Sequence, residues 1–430
     1  MLSEIRFIFG VFDNLFMSVI LSFALAGIIL ILGFIGNYLF KRTSIPDIII
    51  LVILGFLIGP IFGVVDYEVL SPISGIFASL ALLIILFDGG LNLDLKKVLQ
   101  DSPRATALTF LGFFVSMGFI AIFSFFTLRW DFLNSMLLGA ILGGISSSVV
   151  IPLIRRINVN EKVSTILSLE SAFTDALVVV FGLTILQFLT SPFAGGAYDA
   201  AGKIAGAFSI AIVIGLVFGI FWLKVLKSIK KEIYDDILTL AVVLLFYSIT
   251  EILGGNGAIF ALTFGLVLGN GIRIFRVLGI KERIEASKVM KKFHSQISFF
   301  IRTFFFVFIG LIFTVNNYLA IVYGITLTLL LFAARYISTT IVSFKDKILE
   351  NNKMLMSVVM GRGLAAAVLA QVVRTSNIPN SDVFSDIIIV VIIASVVVST
   401  IGISIIGRKL QRIDVKAGRV SKKISSIKTR

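Results

Sequence analysis

The chain has no cysteine and a single histidine, His294, in 430 residues. Disulfides, thiol catalysis and zinc–thiolate sites are therefore excluded, and no histidine metal cluster can form. Charge is scarce. Only 14% of residues are Asp, Glu, Lys or Arg, 58% are hydrophobic, and the mean hydropathy is +1.07. A water-soluble domain needs more polar surface than this. Short alternating segments, the mark of a membrane barrel, are also lacking. The N-terminus, Met1-Leu-Ser-Glu-Ile-Arg6, has neither a basic region nor a small-residue cleavage site, so no removable signal peptide is expected.

What is present is a succession of apolar runs of the length a membrane-spanning helix needs. About 13 candidate spans follow, at roughly 14–40, 46–64, 71–92, 104–127, 133–154, 163–190, 204–226, 235–253, 257–272, 284–315, 318–343, 354–373 and 383–407. The polar start of the tenth is expected in the cytoplasm, and the short ninth reads as a span or a re-entrant segment. The chain is thus expected to be an all-α polytopic membrane protein over 1–407 with a basic, solvated cytoplasmic tail over 408–430. The net charge of +14 then reflects basic cytoplasmic loops rather than a nucleic-acid partner. With the C-terminus cytoplasmic, 31 of the 38 Lys and Arg residues fall inside. Only Arg6, Arg129, Lys203 and Arg374 fall outside. This asymmetry orients the protein in the cell membrane, N-terminus outside. Gly254-Gly-Asn-Gly257 resembles a phosphate loop but follows no soluble strand, so it reads as a helix connection.

Six ionisable residues lie inside apolar runs: Asp88, Glu170, Asp175, Arg302, Arg335 and Arg362. Each costs about 2.5–3.5 kcal/mol on insertion scales, so each is a functional candidate. Mutual structural pairing is the alternative. Ser171 and Asp175 share a helix face, whereas Glu170 lies about 140° around from Asp175. Burial disfavours the charged form of a carboxylate. A buried Asp175 can therefore exchange a proton for an arriving cation. Asp88 reads as a second cation carboxylate or a helix-end acid. Arg302 and Arg335 are expected to pair with acids or carbonyls, because arginine stays charged and cannot carry the proton. His294, in a basic stretch, is expected to be solvated.

Two runs are interrupted. Gly143-Gly-Ile-Ser146-Ser147-Ser148-Val-Val-Ile-Pro152 and Gly361-Arg362-Gly363 both loosen a helix. Paired interruptions point to a transport site near the midplane. Close helix packing by small residues is the alternative. Freed carbonyls and serine hydroxyls there can replace part of a cation's hydration shell, and Arg362 can compensate the helix ends that meet.

In order and spacing these residues resemble the cation:proton antiporter superfamily, in the sodium/proton exchanger branch of the archaeal NhaP type. The resemblance covers nearly the whole chain. It rests on Ile45-Pro46, Gly55-Phe-Leu-Ile-Gly-Pro60, Leu-Phe-Asp88-Gly-Gly, Glu170-Ser-Ala-Phe-Thr-Asp175, Arg302 with the following Phe-Val-Phe-Ile-Gly310, Arg335 and Gly361-Arg362-Gly363. It implies two inverted repeats with crossed discontinuous helices, divided into dimerisation helices (about 14–92 and 204–315) and core helices (about 104–190 and 318–407). It also implies a homodimer with an elevator-like core. Asp175 matches the ion-binding aspartate and Ser171 a hydroxyl ligand. Glu170 matches an acid paired with the arginine of the twelfth span, here Arg362.

Two positions depart from that pattern. Thr174-Asp175 stands where the family has Asn-Asp or Asp-Asp, and Ser146-Ser147-Ser148 stands where it has Thr-Asp-Pro. One carboxylate fewer gives a weaker-field site, so potassium joins sodium and lithium as a candidate. The serine-rich break is also similar to the potassium-efflux branch. The expected activity is exchange of a monovalent cation for a proton. Asp175 is the shared carboxylate, Ser171, Thr174 and the three serines are neutral ligands, and Asp88 is a helper. No cofactor and no enzymatic chemistry are expected. A gated cation channel or uniporter on the same fold, and a non-transporting sensor, are the other readings.

Overall fold

A computed structural model describes residues 23–24, 26–36, 38–39, 46–63, 67–94, 103–154, 157, 159–190, 196–229, 234–279, 284–313, 318–376 and 378–428. The N-terminal residues, Ile45 and several basic loop residues, Lys96 and Arg155 among them, lie outside these. The first expected span, 14–40, is covered only in part.

The regular structure of the described residues is helical. In chain order they are α1 (Ala26–Gly36), α2 (Asp47–Phe56), α3 (Tyr67–Asn92), α4 (Pro103–Phe123), α5 (Phe132–Gly143), α6 (Ser147–Ile154), α7 (Glu161–Thr190) and α8 (Gly196–Ile229). Then follow α9 (Asp235–Ile252), α10 (Gly257–Gly269), α11 (Gly271–Val277), α12 (Lys288–Ile312), α13 (Tyr318–Ser343), α14 (Lys347–Val358), α15 (Leu364–Thr375) and α16 (Ser381–Lys428). Among the described residues, 8 helices are long and apolar enough to cross a membrane, or 9 if the bent pair α10–α11 is one span. Further expected spans are carried by pieces too short to qualify alone, and α9, with 18 residues, carries Asp235, Asp236 and Glu251. At 1.5 Å per residue the 12 residues of α14 reach only about 18 Å. The expected short ninth span is the bent pair, which turns by 84° at Asn270.

The helices pack as two bundles. In one, α10 lies against α3, α8 and α9, and α12 lies against α2 and α3. In the other, α4 lies against α5, α7 and α13, while α16 covers α13, α14 and α15. A seam joins them, where α15 and α7 meet α3, and α15 meets α12. Glycines let backbones approach closely within each bundle: Gly55 of α2 sits on the carbonyl of Val307, and Gly139 of α5 on that of Met117. A methyl group at either position would overlap that carbonyl. Among the described residues, no glycine makes such an approach across the seam.

One element is longer than its apolar run, and one expectation is corrected. α16 continues through the basic tail from Arg408 to Lys428. No proline interrupts residues 381–428, and their Lys and Arg favour helix. His294 is not solvated but 2% exposed. It lies on the face of α12 turned to α3, edge-on to Phe87 at 4.9 Å between ring centres.

Candidate functional site: two interrupted helices around Asp175

The first interruption begins at Gly144, whose backbone is extended (φ −92°, ψ 162°), and α6 restarts at Ser147. The second spans residues 359–363, between α14 and α15. The breaks hold each other. Ser146 donates its N–H to the carbonyl of Gly361 at 2.9 Å, and Gly363 leaves the space that Ser146 fills. Breaking a helix strips backbone groups of their partners, and in an apolar interior each must find another. Arg362 serves the carbonyl end of α5, with Nε donating to Leu142 O at 3.0 Å, and its Nη1 donates to Met360 O at 2.5 Å. Two serines of α16 accept the N–H groups of the second break. Met360 N donates to Ser399 Oγ at 3.1 Å, and Arg362 N to Ser395 Oγ at 3.0 Å. Thr174 fixes the first break, where its Oγ1 accepts from Ile145 N at 3.1 Å and lies 2.9 Å from Ile145 O.

Asp175 comes from the middle of α7 and meets the start of α6. Its Oδ2 accepts from Ser147 N at 3.0 Å and from Ser147 Oγ at 2.7 Å. The carboxylate therefore sits on the positive end of a half-helix. Ser146 Oγ and Ser148 Oγ are 3.0 Å apart beside it. Pro152 has no N–H to offer the carbonyl of Ser148, which lacks its usual partner one turn on.

Asp175 and all three serines line a cavity of about 720 Å³ at the seam. Asp88, Asn92, Ser295, Ser298, Asp47 and Arg302 line it too, so it joins Asp175 to the ends of α2 and α3. Asp88 Oδ1 accepts from Asn92 Nδ2 at 2.7 Å and from Ser295 Oγ at 2.9 Å. Arg302 lies 3.7 Å from Asp47. The two carboxylates, Asp88 and Asp175, thus line one cavity, while hydroxyls and a freed carbonyl supply neutral oxygens. Such a set suits a monovalent cation.

Several sequence-based expectations need correction. Glu170 does not pair with Arg362. Its partner is Arg335 of α13, which meets both carboxylate oxygens, one from Nη1 and one from Nη2 at 2.8 Å. Arg335 also donates from Nε to Met356 O at 3.1 Å. Arg362 is already committed to the carbonyls that the breaks release, whereas α13 brings Arg335 to the side of α7 that carries Glu170. Gly112 of α4 makes room for this pair. Ser171 and Thr174 do not line the cavity. Ser171 Oγ donates to Ser168 O at 3.0 Å, and Thr174 is bound to the break. The face of α7 toward the cavity carries Ala172, Asp175 and Ala176 instead. The sequence reading missed Asp47, Ser295, Ser395, Ser399 and the buried Asp386 of α16. Only the serines of α16, spaced four residues apart in an apolar run, left a legible signal.

Outside the membrane spans, Asp346 in the turn between α13 and α14 gathers Lys162 at 2.5 Å and Arg104 at 3.6 Å. It caps α14 through Ile348 N and Leu349 N. The Lys162 hydrogen bond holds its carboxyl below the ordinary value.

Comparison with known proteins bears on the fold and the family. The chain is 26% identical over 384 residues to Na(+)/H(+) antiporter 1 of Methanocaldococcus jannaschii, covering 85% of this chain and 86% of that protein. It is 27% identical over 308 residues to that organism's probable Na(+)/H(+) antiporter 2, covering 68% and 70%. A K(+)/H(+) antiporter NhaP2 of Shewanella oneidensis is 28% identical over 242 residues, covering 54% of this chain and 40% of that one. The solved structure of the sodium proton antiporter MjNhaP1 from Methanocaldococcus jannaschii shares the fold with a TM-score of 0.75. That match covers 91% of this chain and 98% of the other at 22% identity. The profile of the transmembrane sodium/hydrogen exchanger family matches residues 26–409, and the chain belongs to that family.

Proposed function

We propose that this exchanger takes a monovalent cation and a proton in turn at Asp175, moving them in opposite directions across the cell membrane. The observation that carries this is the Asp175 carboxylate, whose Oδ2 accepts from the N–H and hydroxyl of Ser147 and which lines the seam cavity. A carboxylate held by one hydroxyl and one N–H keeps lone pairs for a proton or a cation. Ser147 and the neighbouring oxygens of Ser146 and Ser148 complete the cation's shell. Asp88 draws cations into the cavity mouth. A single titrating acid at the site makes the exchange one for one and electrically silent.

Sodium, lithium and potassium are the candidate ions, and relatives carry both sodium and potassium in their names. The basic loops support a cytoplasmic C-terminus. The bundle of α4–α7 and α13–α16 is the moving core. The bundle of α2, α3, α8–α10 and α12 is the scaffold through which two copies pair.

The test is a pH-sensitive dye in proteoliposomes challenged with sodium, lithium or potassium. Cation-driven proton movement is expected for the native chain and not for Asp175→Asn. Proton-free downhill cation flux would instead identify a channel. No proton movement with any of the three ions sinks the proposal.

A further inference from the structure

Gln371 is fully buried in α15, yet neither its Oε1 nor its Nε2 has a hydrogen-bond partner among the described residues. A side-chain amide offers two donors and an acceptor with two lone pairs, and leaving all of them unmet in an apolar interior is costly. A glutamine kept only for packing would be replaced to advantage by leucine. A polar group without partners in one arrangement of the protein makes sense if another arrangement supplies them.

Its position says where. Gln371 follows Leu364 by seven residues, about 20° short of two full turns, so the two share a face of α15. Leu364 lines the seam cavity. Leu369, about 160° around the helix from Gln371, faces the other way and meets Gly182 of α7 inside the core. Arg374, near the Gln371 face, donates to Ile312 O of α12 at 3.2 Å. Gln371 is therefore on the seam, beyond the cavity, toward the membrane side where α15 ends. Farther along the seam from the cavity, α3 and α12 present apolar rings. Phe77 lies 5.8 Å from Phe305 and 6.1 Å from Phe308, centre to centre.

We infer that Gln371 lines the second access route to Asp175, the one that opens on the side opposite the present cavity, where its amide solvates the partly dehydrated cation. This rests on the antiport reading. When the core shifts along the seam, water reaches the Leu364–Gln371 face and the amide acquires its partners. With the seam closed against α3 and α12, the amide is dry.

Because the chain has no cysteine, single-cysteine variants report accessibility directly. Gln371→Cys, Leu369→Cys and Thr375→Cys would be treated with a membrane-impermeant maleimide in vesicles of both orientations, across sodium, potassium and pH conditions. Thr375 is exposed at the end of α15 and marks the membrane side. Gln371→Cys should label from the Thr375 side, several-fold faster than Leu369→Cys, at a rate that changes with the ion present. Labelling only from the opposite side, or no faster than Leu369→Cys under any condition, overturns the inference. In the same vesicles, transport should fall several-fold in Gln371→Leu, with protein level unchanged, and largely return in Gln371→Asn. Native transport in Gln371→Leu would also overturn it. Absence of exchange in the unsubstituted protein would instead strike at the antiport reading, leaving the labelling result to stand alone.

Discussion

Arg362 donates its Nε–H to the carbonyl of Leu142 at 3.0 Å, so the guanidinium of one interrupted helix closes the open end of the other. Arg362 therefore acts as a mutual cap rather than as an acid's partner. Arg362→Ala should release two buried carbonyls, of Leu142 and Met360, at about 1.5–3 kcal/mol for each charge-assisted hydrogen bond. Thermal unfolding in detergent should show that loss. Arg362→Lys should recover part of it, because an ammonium reaches one carbonyl but lacks the planar fork. An alanine variant as stable as the native protein would contradict this role.

Glu170 and Arg335 should behave as a coupled unit. Removing one partner of a buried pair strands the other charge, at about 3–5 kcal/mol. Glu170→Gln and Arg335→Met should each be strongly destabilised, and the double variant should be more stable than either single one. Simply additive losses in the unfolding midpoints would show that the two do not depend on each other.

Ser147 tests how the site holds a charge. Ser147→Ala removes the 2.7 Å hydroxyl bond but leaves the N–H bond to Asp175. A charge-assisted bond of about 1.5 kcal/mol corresponds to roughly tenfold in affinity, so the half-saturating cation concentration should rise by that order. Ser147→Asp places a second carboxylate against Asp175. Two such groups share protons and titrate as a pair, so transport should acquire a dependence on membrane voltage. Electrically silent transport in Ser147→Asp would refute that expectation.

Asp346 ties the ends of α4, α7 and α14 through Arg104 and Lys162. Its carboxyl is held low, chiefly by the Lys162 hydrogen bond. A depressed carboxylate adds stability that is present above its unfolded value, about 3.9, and fades as pH falls through its lower folded value. The melting difference between native protein and Asp346→Asn should thus be constant from neutral pH to about 5 and shrink below about 4. High salt should also shrink it. A difference that grows on acidification would reverse the sign.

Much of this was readable in the sequence because membrane burial makes charge rare. Asp175, Glu170, Arg335 and Arg362 stand out in apolar runs, and Gly143-Gly144 and Gly361-Arg362-Gly363 mark the breaks. Pairing was not readable. Arg362 lies within the second break and Arg335 upstream of it on α13, both far along the chain from Glu170, and only the packing of α13 on α4 decides between them. Ser171 was misplaced for a subtler reason. Spacing of four residues puts it near Asp175 on the helix, but the cavity opens on the Ala172 and Ala176 side of that aspartate. Asp47 was overlooked because it begins a helix, where an acid needs no special explanation.

The placement of glycines sets how the two bundles can yield. Where Gly55 meets Val307 and Gly139 meets Met117, main chain rests on main chain, and a shift of even an ångström would collide. The seam is upholstered by side chains, which can re-seat from one rotamer to another as packed helices slide. On the proposed exchange cycle, shear applied to this molecule would concentrate along that surface, with each bundle moving as a stiff body. A cysteine pair that bridges α3 to α15 would arrest transport, whereas one within either bundle would leave it running.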